Sequence, residues 1–203
     1  MDNELSYEEI LHLAAYAVNN GDLANALTLC KKIDIEATPD QRLNLIHAAI
    51  LNQLGMHQES IGIYNVVVEK DPDNELAKFQ LGVAYFFSND IGNAETYWQG
   101  LDYFAHFAEG FLSAKSGDFE QAIKHLSLFI ANNEQYPALN GDASNLLKAF
   151  EDKLARSSTE QEPSSVETLD TNERIDSEPS PNSTGSTETS QKNVSALLSI
   201  YKE

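Results

Sequence analysis

The chain has 203 residues, 41% of them apolar, enough for one ordinary domain with a sizeable core and a tail. Thirteen Lys and Arg stand against 32 Asp and Glu, a net charge of −19 with no basic cluster, and such a field repels phosphate backbones and argues against a nucleic-acid role. The first residues lack the basic start and apolar run of a secretory signal, and no apolar stretch approaches a membrane span, so a cytoplasmic location is expected.

From the first elements onward the chain repeats. Gly21, Gly55 and Asn89 fall 34 residues apart, each between one apolar helical pattern and the next. Residues 7 to 40 predict a first helix with Leu13, Ala14 and Ala17 inward, a turn at Gly21-Asp22, and a second helix carrying Ala26, Cys30 and Ile33. Pro39 closes the unit, since proline can begin the next helix but not sit inside one. Cys30, the single cysteine, falls on the apolar stripe and is expected to be a small core residue.

Residues 41 to 74 repeat the pattern with His47, Ala48 and Leu51, then Gly55, then Ser60, Tyr64 and Val67, ending at Asp71-Pro72. In residues 75 to 102, Leu81-Gly82 and Tyr85 precede Ala94 and Trp98. Asn89 takes the place of the turn glycine, because Asn tolerates the left-handed conformation that such a turn needs. Residues 103 to 136 form a fourth unit around Gly117-Asp118, with Gly110 before it and Ala122, Leu126 and Phe129 after it. Gly117 follows Asn89 by only 28 residues, so the second helix of the third unit is either cut short near Leu101 or runs almost directly into the next helix. The stack is expected to bend abnormally there.

After Tyr136-Pro137, residues 142 to 156 predict an amphipathic cap helix with Leu146, Leu147, Phe150 and Leu154 on one side. Residues 157 to 192 are acidic and rich in Ser, Thr, Glu and Pro, too poor in apolar side chains to offset their ordering entropy, and are expected to be a disordered linker. Residues 193 to 203 end the sequence with Val194, Leu197, Leu198 and Tyr201 at helical spacing, a candidate docking motif.

Residues 7 to about 136 resemble the tetratricopeptide repeat (TPR) family: Leu81-Gly82 and Tyr85, followed by Ala94 and Trp98, resemble the family pattern in which a small residue lets two helices approach closely and an aromatic fills the gap between them. The resemblance implies an all-α solenoid of helical hairpins, a right-handed superhelix whose first helices line a concave groove that holds a segment of a protein partner. It implies no enzymatic activity, and no cofactor is expected. In this register the groove sites are Leu11 and Ala15, Leu45 and Ala49, then Phe79, Val83, Phe86 and Phe87, and finally Phe104, Phe107 and Phe111. The branch of the family that clamps acidic peptides does so with basic and amide residues; the matching sites here, Leu11, Ala15, Ile46, Leu76 and Gln80, contain no basic residue. An apolar or amphipathic partner segment is expected instead. In plan and charge the chain also looks like chaperones of type III secretion translocators.

Aromatic residues at helical spacing also serve as ordinary packing between helices, and both roles stay open for these phenylalanines. If they line an open groove, a partner, a second copy or the chain's own residues 194 to 201 must cover it. The linker, with a root-mean-square reach of roughly 30 to 36 Å, permits intramolecular docking. Self-association through the terminal motif, making the protein a scaffold, is the alternative. The five histidines show no paired ligand spacing, and no two carboxylates stand out as an acid and base.

Overall fold

The computed structural model describes residues 5–159, and side chains as far as residue 156. The described residues are all-helical, with no strand among them. In chain order the helices are α1 (Tyr7–Asn19), α2 (Leu23–Cys30), α3 (Arg42–Gln53), α4 (His57–Lys70), α5 (Glu75–Phe87), α6 (Ile91–Trp98), α7 (Ala105–Lys115), α8 (Phe119–Asn132) and α9 (Leu139–Thr159).

Each pair is divided by the same turn chemistry. Gly21, Gly55, Asn89 and Gly117 all have positive φ, at 73°, 78°, 66° and 85°. Only glycine, or Asn with its short polar side chain, takes this conformation cheaply. The following aspartates, Asp22, Asp90 and Asp118, cap the next helix by accepting from the backbone N–H of Asn25, Asn93 and Gln121.

Counted from those turn residues, a ladder of sizes fixes the packing. Seven places before the turn stand Ala14, Ala48, Gly82 and Gly110; five places after it stand Ala26, Ser60, Ala94 and Ala122, and all eight are buried. Small residues at these sites let the two helices of a pair approach closely. Nine places after the turn come the residues that close the gap, Cys30, Tyr64, Trp98 and Leu126. Trp98 lies so tightly over Gly82 that an added Cβ would meet its ring at 2.2 Å, and its Nε1–H donates to the Phe79 carbonyl at 3.0 Å. The small residue and the aromatic of the expected pattern that meet here are Gly82 and Trp98.

Second helices also pack onto the first helix of the following pair, α2 against α3 and α4 against α5. Tyr64 and Val67 share a core with Ala77, Leu81 and Ala84, and the Tyr64 hydroxyl donates to Gln80 Oε1 at 3.0 Å. The junction of α6 with α7 is different. α6 has eight residues and stops at Trp98; Gly100, at φ 81°, turns the chain, and α7 is joined to α5 and α6 mainly through large aromatic side chains. Of the two outcomes the 28-residue spacing allowed, the shortened helix is the one found.

Three other departures have local causes. α2 ends at Cys30, and Ile33 sits in a turn, because Asp34 Oδ1 accepts from the N–H groups of Glu36 and Ala37 and stops the helix. The loop that follows is latched by Lys70, whose Nζ donates to the carbonyls of Ile35, Glu36 and Thr38. Leu13, expected to point inward, is 42% exposed, because it faces the side of α1 on which no described helix lies. The cap helix begins earlier and ends later than residues 142 to 156, since α9 runs from Leu139 to Thr159. The rest of the predicted linker and the motif at residues 193 to 203 lie outside the described residues.

Candidate partner-binding surface

The seven phenylalanine and valine sites expected to line a groove divide by burial. Phe79, Val83 and Phe107 have no exposed surface, Phe104 retains 1% and Phe111 4%. The expectation of an open wall is corrected for these five, whose side chains are sealed from solvent in the described structure. Phe79 stacks on Phe104 with ring centroids 4.7 Å apart and lies 5.2 Å from Phe107, and Phe107 stacks on Phe111 at 5.4 Å and meets Phe129 at 4.8 Å. The physical reason is the shortened α6: where a full second helix would fill the space before α7, large rings fill it instead.

Phe86 and Phe87, at the C-terminal end of α5, remain half-buried. Phe86 leans on Trp98 and Phe111, at 5.8 and 5.2 Å, so its inner side belongs to the core. Phe87 meets Phe86 edge-on at 5.6 Å and stacks against His57 of α4 at 6.3 Å. His57 follows a turn whose apolar side chains, Leu54 and Met56, are exposed by 46% and 38%. Burial lowers the His57 pKa below its ordinary value, so the ring is neutral at pH 7. Its Nδ1 lies 2.6 Å from Asn52 Oδ1, which requires Nδ1 to carry the proton and leaves Nε2 as an acceptor. The C-terminal end of α5 and the α3–α4 turn thus carry half-buried and exposed apolar side chains around a neutral His57.

No motif in the sequence marks the cleft between α6 and α7, a space of about 500 Å³. Trp98, Leu101, Ala108 and Leu112 are among its walls, and the exposed carboxylates of Glu95 and Glu109 also line it. The signal that could have found it is the six-residue deficit in the repeat spacing. Two histidines without ligand spacing in sequence are also brought together: His106 and His125, on facing sides of α7 and α8, have Nδ1 atoms 3.4 Å apart. No third His, Cys, Asp or Glu joins them in a metal-holding group among the described residues.

Cys30 is buried, and its thiol is pushed up to about 12 by that burial, which keeps it protonated and in keeping with a core residue. Among the described residues no helix is long and apolar enough to cross a membrane. No family model and no curated protein matches this sequence.

Proposed function

We propose that the chain is a non-enzymatic, TPR-like interaction module of the cytoplasm, an adaptor or chaperone that holds an apolar or amphipathic segment of a protein partner. The observation that carries this reading is the half-buried pair Phe86 and Phe87, with Phe87 stacked on His57, which directly follows the turn that exposes Leu54 and Met56. Such a strip gives an aliphatic or aromatic side chain rings to pack on, while the neutral His57 offers it no charge to desolvate. The ladder of small and filling residues supports the tetratricopeptide reading, with its right-handed stacking of hairpins. The strong negative charge favours partner segments whose flanking residues are basic.

A phage library of random peptides, selected on the full chain, tests this. Enriched peptides should combine aliphatic or aromatic anchors with Lys or Arg, and Phe87→Ala, checked for folding by circular dichroism, should weaken them about tenfold or more. Failure to enrich any peptide, or binding untouched by Phe87→Ala, overturns the reading.

A further inference from the structure

The two ends of the helix series are finished differently. α9 packs on α8 and closes one end. At the other, α1 presents Leu13, 42% exposed, and Tyr16, 68% exposed. One repeat later the same places hold His47 and Ile50, at 6% and 0%, and two repeats later Leu81 and Ala84, both 0%. What covers those places is the second helix of the preceding pair: α2 lies against α3, and Tyr64 and Val67 of α4 share a core with Leu81 and Ala84. The α1 face is therefore shaped for a second helix that no described residue supplies.

The sequence contains a segment with that pattern. Counted from Lys192 as from the turn residues, Asn193 falls on the cap place held by Asp22, Asp90 and Asp118. Val194 matches Leu23 and Ile91, Leu198 matches Leu27 and Ile61, and Ile200-Tyr201 repeats Ile63-Tyr64. Leu197 departs, standing where Ala26, Ser60, Ala94 and Ala122 are small, and Lys192 stands where the turns between paired helices have Gly or Asn. Smallness there serves close approach to a helix's own first partner, and a segment docking on the open face of α1 has none. Tyr64 reaches Gln80 at 3.0 Å, and the residue of α1 in the place of Gln80 is His12, which is exposed.

We propose that residues 193–203 cover the open face of α1 of their own chain in the register of a second helix, with Tyr201 over Leu13 and its hydroxyl at His12. Residues 160 to 192 supply a tether with a root-mean-square reach of about 30 to 35 Å. Helices packed at roughly 8 to 10 Å intervals put α1 about 30 to 40 Å from α9, so the ends can meet, and tethering favours the chain's own segment over a second copy. The inference is independent of the Phe86–Phe87 reading and can stand or fall without it.

The test uses the full chain with paired cysteines, Cys30 being buried and out of competition. A short bismaleimide should link His12→Cys to Lys202→Cys at least about tenfold faster than it links Glu120→Cys, exposed on α8 and closer to the tether's root, to Lys202→Cys. The rate should not depend on protein concentration, and Leu13→Asp or Tyr201→Ser should bring it down to that of the control pair. Because Tyr201 lies outside the described helices, its substitution tests docking even if Leu13→Asp disturbs folding. Equal rates for the two pairs, indifference to Tyr201→Ser, or products linking two chains would overturn the proposal.

Discussion

Gly82 and His47 show how much single side chains decide here. A methyl group at Gly82 has to enter the ring of Trp98 at 2.2 Å, and that ring cannot yield without giving up its hydrogen bond to the Phe79 carbonyl. Gly82→Ala is therefore expected to cost about 3 kcal/mol in urea unfolding. Gly110→Ala should cost about 1 kcal/mol, because its Cβ would meet the more adaptable Leu126 at 3.0 Å. His47 is buried with an unpartnered Nδ1, and burial first, then the charge of Lys31, lowers its pKa from 6.5 to about 4. Between those two values the unfolded chain binds a proton that the folded chain refuses, so stability is full above pH 6.5 and falls as the pH drops toward 4. Denaturant titrations from pH 7 to 5 should show this loss, and His47→Leu, the residue type found at the equivalent position 81, should remove much of its slope.

At the scale of an element, two kinds of force can be separated by experiment. Turn chemistry starts the helices: Asp118→Ala, which removes the bond to the Gln121 N–H, and Gly117→Ala, strained at φ 85° though nothing lies within 4 Å, should each cost about 1 kcal/mol. Aromatic packing holds the helices together. Phe107→Ala, at 0% exposure among Phe79, Phe111 and Phe129, is expected to cost about 3 to 5 kcal/mol and to loosen the α5–α8 region. Phe87→Ala, half-buried, should cost far less. Thermal melts of the two variants, taken side by side, check the division between core and surface phenylalanines, and similar losses would show that Phe87 is also a packing residue.

At the scale of the whole molecule, the core among the described residues is three clusters rather than one centre. Such an arrangement opens by parts. The α1–α2 end, with a short second helix and a core cluster of small and aliphatic residues, should exchange its amide hydrogens faster than α5–α8, which surround the aromatic cluster. Hydrogen exchange followed by mass spectrometry would show the order. The net charge of −19 repels itself, so raising ionic strength from about 10 to 200 mM should raise the melting temperature. A fall would mean that attractions such as Arg42 with Glu8 and Asp40 outweigh the repulsion.

Local conformation was legible in the residues because its causes are local. Gly21, Gly55, Asn89 and Gly117 mark turns through their own φ preferences, and the spacing of four and three through Ser60, Tyr64 and Val67 marks a helix through the helical period. That a small residue meets an aromatic in the third pair was legible too, whereas the structure selects Gly82 and Trp98 from Gly82, Tyr85, Ala94 and Trp98. Burial was not. Phe79 and Phe87 lie on one helix in similar sequence surroundings, yet one is sealed and the other is half open. Their difference arises from α6 stopping at Trp98, from the rings that α7 and α8 then bring in, and from His57 approaching from α4. The sequence by itself determined the helices, their turns and the pairs they form, whereas only the tertiary structure decided which apolar side chains face a neighbour and which face water, because exposure depends on residues distant in the chain.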